Sequence, residues 1–389
     1  MSNFTALFAP TFDNQKFFRH YWQKRPLLIK SNGAFADPLD PDTLAAMACE
    51  AAVDSRIVTN QGAHCWQQAS GPFTSRYFKN LGESNWTLLV QAVDQWWPPM
   101  RSLRAEFDFL PGWRIDDIMV SFATRGGGVG PHFDYYDVFL VQGKGSRKWQ
   151  VGNRCEHTTA LCENSELKLL KVFKPRREFI LTSGDILYLP PRYAHFGVAL
   201  NDSLCYSVGF RAPSFAEMLE GYSNELAQTM PDDLRYEDTL KTAVSRSGEI
   251  SNAMLAPTFK MLKTRMDDMP AFNHWFGCQV TTPRHPEQIL PVEPPVSAAA
   301  VRQMVHRRTG LRKNPFSRFA YSKSRNKVSL YVDGRCYVCS VNSLVCISQL
   351  CASCELDLPL IKLMLKDRDL AGLVTELLNI GSLEIEPGQ

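Results

Sequence analysis

Between Asp116 and Arg211, short apolar segments alternate with turn residues, and no other feature limits the possible folds of this chain as strongly. Apolar side chains recur at every second position, which is typical of strands with one buried face. Many short strands joined by tight turns favour an antiparallel barrel or sandwich. The predicted strands cover Ile118–Phe122, Val138–Val141, Trp149–Val151, Phe179–Leu181, Ile186–Leu189 and Leu204–Phe210.

The sequence on either side of this block has a different pattern. Residues 11–110 are expected to be mostly helical and irregular, with a helix against one edge of the barrel and then a strand near Leu27–Ile29. After Pro213, Ser214 and Glu217 form a capping-box pattern, and apolar residues follow at helical spacing. The pattern therefore predicts helices over residues 214–282.

A proline-rich segment precedes a third region. Five prolines fall between Pro283 and Pro295, and they favour an extended linker because proline lacks a backbone donor. A helix over Ser297–Arg308, a hairpin that turns at Asp333-Gly334 and apolar helical sequence up to Ile380 then indicate a winged-helix module. The chain is thus predicted to be an α+β protein with a barrel at 1–213, a helical segment at 214–282, a linker at 283–296 and a winged-helix-like domain at 297–389.

Composition excludes some classes of protein. The 43 basic and 40 acidic residues give a net charge of +3, which is too small to indicate nucleic-acid binding by the whole chain. No uninterrupted apolar stretch of about 18 residues, which a membrane span would need, occurs in the sequence. The 11 cysteines, without a recognisable secretion signal, predict free thiols in a reducing compartment and hence a cytoplasmic location.

The sequence Gly126-Gly127-Gly128-Val129-Gly130-Pro131-His132-Phe133-Asp134 contains the first candidate metal ligands. On a strand, His132 and Asp134 would share one face and could bind one ion. His195, at the end of a later buried strand, is the candidate third ligand. Two imidazoles and one carboxylate leave three adjacent coordination positions open, which is typical of non-heme iron(II) oxygenases and suits a bidentate 2-oxo acid plus oxygen. Catalytic zinc also takes three protein ligands, but it would need a carboxylate to activate water, and the sequence does not indicate one.

Five motifs along the chain are His132-x-Asp134 with His195, Asp137–Gly143, Arg147-Lys148-Trp149, Tyr188-Leu189-Pro190-Pro191, and Tyr21-Trp22 with Pro26-Leu27-Leu28. Together they resemble one family, the JmjC-type ribosomal oxygenases. The likeness is to the bacterial branch that hydroxylates an arginine of protein sixteen of the large ribosomal subunit, and it extends over about residues 11–213. It implies a double-stranded β-helix of the cupin/JmjC type, iron(II), 2-oxoglutarate as cosubstrate, O2, and a homodimer formed through the helical segment.

The resemblance also implies a pocket for the cosubstrate. The second carboxylate of 2-oxoglutarate needs a buried cation, and a basic residue at the position of Arg147 has this role in the family. Strand alternation directs Lys148 outward. Ser121 and Ser207 are candidate hydroxyl donors to the cosubstrate. The glycine run lacks the Gly-Lys-Ser/Thr ending of a phosphate loop, so close backbone approach explains it better than nucleotide binding.

Some alternatives stay open. A JmjC demethylase of methyl-lysine would share the metal chemistry, and a non-catalytic cupin-like binding module would not be an enzyme.

A substrate arginine would need an acidic partner, for which Asp116, Asp117 and Asp137 are candidates. The basic stretch 302–327 is either a solvated face or a weak RNA contact. The pairs Cys336/Cys339 and Cys351/Cys354 have zinc-site spacing, but strand-like sequence around the first pair argues against a shared ion.

Overall fold

The computed structural model describes residues 7–31, 35–62, 65–163, 167–237, 246–306 and 310–385. It divides between Ala212 and Pro213 into two compact units, and each has a hydrophobic core of its own. The expected domain boundary after residue 213 lies one residue away from this division. Within the described ranges, no helix is both long and apolar enough to cross a membrane.

The first unit combines short helices with most of the strands of the chain. Its helices are α1 (Asn14–His20), α2 (Pro41–Met47), α3 (Ser75–Lys79), α4 (Val93–Trp96) and α5 (Met100–Ala105), with a 3-10 turn at Gly112–Arg114. Its strands are β1 (Leu27–Ile29), β2 (Ser55–Asn60), β3 (Trp66–Ser70), β4 (Trp86–Val90), β5 (Ile115–Ala123), β6 (Val138–Gln142), β7 (Ser146–Arg154), β8 (Arg177–Thr182), β9 (Ile186–Leu189), β10 (Tyr193–Ala199) and β11 (Ser203–Phe210).

These strands form two antiparallel sheets that face each other. The larger sheet has the order β1-β9-β6-β11-β5-β4-β2-β3, and the smaller one has the order β10-β7-β8. Apolar residues of both sheets, among them Leu140 and Leu187 from the larger and Trp149 from the smaller, form one buried cluster between them. The opposite face of the larger sheet packs on α1, α2 and α5 through the main core, which includes Phe139 and Tyr188. This architecture confirms the predicted double-stranded β-helix.

The expectation for residues 11–110 was wrong in one respect. The strand at β1 is present, but β2, β3 and β4 are strands as well and extend the larger sheet beyond the barrel. Their local sequence gives little sign of this, because they obtain their register from distant partners: Leu89 of β4 pairs with Ser121 of β5 and with Arg56 of β2. Strand propensity is decided largely by such cross-strand neighbours.

The second unit contains the remaining helices and two small sheets. Its helices are α6 (Phe215–Thr229), α7 (Asn252–Met266), α8 (Met269–Thr281), α9 (Ala298–His306), α10 (Leu344–Ala352), α11 (Leu358–Lys366) and α12 (Arg368–Asn379), with 3-10 turns at Pro286–Gln288 and Val341–Ser343. Its strands are β12 (Leu311–Lys313), β13 (Phe319–Lys323), β14 (Lys327–Val332), β15 (Arg335–Ser340), β16 (Glu355–Leu356) and β17 (Leu383–Ile385).

Local signals define the ends of several elements in this unit. The Ser214 side chain accepts from Glu217 N, and the Glu217 side chain accepts from Ser214 N, so the capping box at the start of α6 is present. Asp333 (φ 50°) and Gly334 (φ 80°) turn the β14–β15 hairpin with the positive dihedrals of a tight turn. The hairpin and the helices that follow confirm the winged-helix prediction.

The segments predicted as a dimerisation region and a linker both contact the rest of this unit. Gly277 of α8 lies directly on β14, since a Cβ added there would be 2.3 Å from the Tyr331 ring. In the proline-rich segment, Val292 N donates to Asn379 O (3.0 Å) and Val296 N donates to Asn379 Oδ1 (2.8 Å). This segment is therefore hydrogen-bonded to the end of α12.

Candidate metal centre

Main-chain pairing brings two of the predicted ligands together. His132 forms an isolated antiparallel bridge with His195 of β10, in which His132 N donates to His195 O (3.0 Å) and His195 N donates to His132 O (2.8 Å). Their imidazole ring centroids are 4.3 Å apart. His195 thus lies within a strand rather than in a turn after one, and the backbone itself sets the distance between the two rings.

Asp134 completes the group, although it does not lie in a strand as the sequence predicted. Its Oδ2 is 3.6 Å from His195 Nε2 and 4.0 Å from His132 Nε2. Its carbonyl accepts from the backbone N–H of Arg192, which has the unusual φ of 70°. The tight turn before β10 therefore holds the Asp134 main chain beside the strand that contains His195.

The donor atoms of this group suit a divalent transition metal. Each imidazole donates through Nδ1 to a backbone carbonyl, His132 to Gly130 O and His195 to Tyr193 O, both at 2.9 Å. Such bonds fix the tautomer that leaves Nε2 free to bind a metal. One ligand atom from each of His132, Asp134 and His195 lies within 4.8 Å of the others, and no other His, Cys, Asp or Glu of the described residues belongs to the group.

Burial keeps His195 in the form that a metal requires. Burial, together with the neighbouring His132, lowers the pKa of His195 to about 4. The side chain is only 4% exposed. His195 is therefore neutral at physiological pH, and its Nε2 lone pair needs no proton release before it binds an ion.

The glycine run before His132 packs against the strand of the third ligand. A Cβ added to Gly128 would lie 2.3 Å from Gly197 O of β10, and one added to Gly130 would lie 2.7 Å from Leu169 Cδ2. Gly130 also has a φ of 82°. The close backbone approach expected from the sequence is present, and a side chain at Gly128 would separate the two segments that form the bridge.

Arg147 lies inside the barrel and is almost completely buried (6% exposed). Its Nη1 donates to Ser121 Oγ (2.8 Å) and its Nε to Ser203 Oγ (2.9 Å), while Nη2 donates to the carbonyls of the same two serines. Burial lowers the pKa of Arg147, because no carboxylate of the described residues compensates its charge. Lys148 points to the other face of β7, with its Nζ 3.9 Å from Glu178.

The predicted serines differ in their surroundings. Ser121 contacts the Arg147 guanidinium, and Ser203, which the sequence analysis did not single out, contacts it as well. The signal that could have identified Ser203 is its alternation with Cys205 and Ser207 on the inward face of β11. Ser207 is buried on that face and pairs with Met119 and Leu140.

The three candidate substrate carboxylates also differ. Asp137 is fully buried and accepts from Tyr188 (2.6 Å) and Arg114 (3.0 Å), and Asp116 is paired with Arg211 (2.9 Å). These two are committed to structural pairs, which argues against their assignment to the substrate. Asp117 is buried on the inward face of β5, where its Oδ2 accepts from Ala92 N (3.1 Å) and its Oδ1 lies beside Gly209.

Asp117 and Tyr136 flank the small residue Gly209. A Cβ added at Gly209 would lie 3.6 Å from Asp117 Oδ1 and 3.9 Å from the Tyr136 ring. The charge of Asp134, with burial and Asp117 adding to it, raises the pKa of Tyr136 well above its ordinary value, and its hydroxyl hydrogen-bonds to Asp134. Tyr136 thus connects the predicted metal ligand Asp134 with Asp117.

The cysteines form no second metal group within the described ranges. All 11 are free. Cys336 and Cys339 lie in β15, where they pair with Tyr331 and Val328. Their odd spacing directs them to opposite faces of the hairpin.

Two family models match the chain. The model described as the JmjC domain matches residues 102–218, and the ROXA-like winged helix matches residues 264–384. The first contains every predicted ligand and pocket residue. The second begins within α7, so it includes part of the segment predicted to be separate from the winged helix.

Individual relatives resemble most of the chain. The ribosomal protein uL16 3-hydroxylase of Escherichia coli K12 is 40% identical over 280 residues, which are 72% of this chain and 74% of that protein. The crystal structure of E. coli YcfD has a TM-score of 0.87 and 33% identity, and the match covers 97% of this chain and 99% of YcfD. A structure of YcfD, described as a ribosomal oxygenase, in complex with cobalt and 2-oxoglutarate has a TM-score of 0.84 at the same identity and coverage. From its fold, its histidine–aspartate–histidine group and these relationships, this chain belongs to the JmjC-domain ribosomal oxygenases with a ROXA-like winged helix.

Proposed function

We propose that this protein is an iron(II)- and 2-oxoglutarate-dependent hydroxylase that modifies an arginine side chain of ribosomal protein uL16. The observation that carries the proposal is the convergence of two imidazole nitrogens and one carboxylate oxygen within 4.8 Å. Such a set occupies one side of an ion and leaves room for a cosubstrate. The name of the E. coli relative, a uL16 3-hydroxylase, supplies the substrate and the reaction.

His132, Asp134 and His195 would hold the iron(II) through two Nε2 atoms and one carboxylate. Bound iron(II) supplies the oxidising chemistry, in which O2 converts 2-oxoglutarate to succinate and carbon dioxide and adds one oxygen atom to the substrate. The protein supplies orientation and a site that excludes bulk water. Trp149 contributes to both, since its ring lies 6.0 Å from that of His195 and is buried between the sheets.

Arg147 would bind the distal carboxylate of 2-oxoglutarate. Its present partners are neutral serine hydroxyls and carbonyls, so the charge of the guanidinium lacks a counterion among the described residues. A carboxylate would accept two parallel hydrogen bonds from it and would cancel a buried charge. Ser121 Oγ already accepts a hydrogen bond from Nη1, and we assign Ser121 and Ser207 to the same pocket.

The substrate guanidinium would enter the cleft beside Asp117 and Tyr136. Asp117 is the acidic candidate near the metal-binding group. Tyr136 lies between them, since its hydroxyl hydrogen-bonds to Asp134 and its ring lies beside Gly209, as does Asp117 Oδ1. A carboxylate there would attract an arginine and would hold its side chain alongside the metal. The name of the E. coli relative, a uL16 3-hydroxylase, favours hydroxylation over the alternative of a methyl-lysine demethylase.

Mass spectrometry distinguishes these reactions. The iron(II)-loaded protein, with 2-oxoglutarate and air, is incubated with a uL16 peptide that contains the target arginine. We expect succinate and a peptide that is heavier by one oxygen atom, and His195→Ala should abolish both. Loss of a methyl group from a methylated peptide would instead support a demethylase. Absence of succinate under all conditions would support a non-catalytic cupin-like binding module.

We also propose that the protein is a homodimer formed through α6 and α7. These helices expose large apolar side chains that solvent contact alone does not stabilise. An identical surface on a second copy would cover them in an isologous interface. The exposed residues are Phe215 (88%), Leu219 (56%), Leu255 (51%), Phe259 (70%), Leu262 (56%) and Met266 (41%).

A weak RNA contact is proposed for the β13–β14 hairpin, within the basic stretch 302–327. Residues 307–309 lie outside the described ranges, Arg312 is paired with Glu384 (2.9 Å), and Lys313 donates to Cys351 O. Among the described residues of the stretch, the exposed charges are Arg302 of α9 and three at the hairpin tip, Lys323, Arg325 and Lys327. Joint replacement of the three hairpin residues by glutamine should lower the salt dependence of binding to a short labelled RNA by about two units in log–log slope, at about 0.7 per phosphate contact. An unchanged slope would exclude the contact.

A ribosomal-protein substrate further supports a cytoplasmic location.

A further inference from the structure

A second arginine lies on the same inward face of the larger sheet as the proposed cosubstrate pocket. On β2, Ile57 belongs to the main core, so alternation places its neighbour Arg56 on the opposite face. That is the face to which Ser121 contributes further along the sheet. Arg56 is thus directed to the side on which the metal-binding group lies.

The register fixes how far Arg56 is from the cosubstrate pocket. Arg56 pairs with Leu89 of β4, and Leu89 pairs with Ser121 of β5. Two strand spacings separate Arg56 from Ser121, which is roughly 10 Å between their backbones. Arg147 already contacts Ser121 from the other sheet. The cosubstrate carboxylate therefore has a closer cation than Arg56.

Among the residues that the structure describes, Arg56 has no partner of the kind that a structural arginine normally has. Its Nε is buried without a hydrogen-bond partner, and no carboxylate of the described residues forms an ion pair with it. A buried donor without a partner is unfavourable, because it has lost its hydrogen bonds to water and gained none in exchange. Its side chain is half-buried on the inward face of the sheet, so its guanidinium lies on the side of the space between the two sheets.

We propose that Arg56 is a substrate-binding residue that donates hydrogen bonds to main-chain carbonyl oxygens of the substrate polypeptide, next to the target side chain. A cation would repel the guanidinium of the target itself, which leaves neutral or negative acceptors as its ligands. Carbonyl oxygens are present on every side of an extended peptide, and the planar fork of arginine matches two acceptors. The inference rests on the proposed function.

Binding of a uL16 peptide that contains the target arginine tests this role without turnover. The protein is loaded with manganese(II) and 2-oxoglutarate, and peptide and cosubstrate affinities are measured by calorimetry. Arg56→Met should weaken peptide binding about tenfold or more, because hydrogen bonds from a charged donor are lost. The affinity for 2-oxoglutarate should stay within about twofold. Arg56→Lys should recover part of the loss, since it keeps the charge but not the fork.

The matched control is Arg76→Met, because Arg76 is an exposed arginine of the same unit on α3. It should leave both affinities unchanged. Equal peptide affinity in Arg56→Met and wild type, while wild type hydroxylates the peptide, would overturn the role of Arg56 alone. Parallel weakening of 2-oxoglutarate binding would assign Arg56 to the cosubstrate pocket instead. If wild type neither binds nor hydroxylates the peptide, the proposed function falls and this inference falls with it. Should Arg56→Met unfold, the comparison of Arg56→Lys with wild type decides the question.

Discussion

His132 and His195 are register partners whose main chains exchange both hydrogen bonds, at 3.0 and 2.8 Å. The sheet backbone therefore positions these two imidazoles independently of their side chains. This arrangement tolerates removal of one ring without loss of the bridge, because the hydrogen bonds use only backbone atoms. It makes substitutions at these positions informative about metal binding rather than about folding.

Replacement of either histidine should abolish metal binding while the fold persists. For His132→Ala and His195→Ala we expect at least a hundredfold loss of cobalt(II) affinity, measured by calorimetry, since a facial set of three protein ligands loses one of them. The melting temperature of the metal-free protein should change little. His20→Ala, on the exposed end of α1, is the control. Retained cobalt affinity in both variants would contradict the assignment.

Arg147→Met should weaken 2-oxoglutarate binding by about tenfold to hundredfold, which corresponds to loss of a charge-assisted hydrogen-bonded pair worth about 1.5–3 kcal/mol. The measurement is calorimetry with the manganese(II)-loaded protein. Lys148→Met is the matched control, because Lys148 is the next residue but faces away from the barrel interior. If both variants bind the cosubstrate as wild type does, Arg147 is only a structural residue.

Asp185 should stabilise the protein in a pH-dependent way. Burial alone would raise its pKa, but hydrogen bonds from Thr182, Lys30 and Ser31 outweigh burial and hold the pKa of Asp185 below its ordinary value. A depressed pKa in the folded state means that the stabilisation is complete above the unfolded value of about 3.9 and disappears as the pH falls through the folded pKa.

Asp185→Asn should therefore lower the free energy of unfolding by about 1–3 kcal/mol at pH 7. The difference from wild type should shrink as the pH is lowered below about 4. Urea denaturation at a series of pH values measures both. Asp202→Asn removes an exposed carboxylate and should have no such effect. A difference that is constant with pH would show that the ionised form of Asp185 is not what stabilises the turn before β9.

Charges on α7 should dissociate the proposed dimer. Phe259→Glu with Leu262→Glu places two carboxylates in a surface that would be dry in the dimer, which costs several kcal/mol. Light scattering should then report about 44.0 kDa for the variant and twice that mass for wild type. Lys260→Glu, on the same helix, is the control for a change of charge alone. A wild-type mass of a single chain would disprove the dimer.

Local sequence determined those features that depend on neighbours in the chain. The capping box of Ser214 and Glu217 and the Asp333-Gly334 turn use contacts a few residues apart. The barrel strands were recognisable from the alternation of apolar side chains along each strand. The histidine–aspartate–histidine group was recognisable for a related reason, because metal chemistry restricts its residue types. The prediction of Arg147 as the partner of the cosubstrate followed from the charge of the cosubstrate and from the family resemblance.

Only the tertiary structure decided features that depend on distant partners. The strands β2 to β4 obtain their register from β5, Ser203 reaches Arg147 across the two sheets, and Asp134 is held by a turn rather than by a strand. Burial of Asp137 under Tyr188 and Arg114 likewise separates it from the substrate candidates. Sequence patterns report the faces of single elements, whereas burial and hydrogen-bond partners are set by which elements pack together, and that information is distributed over the whole chain.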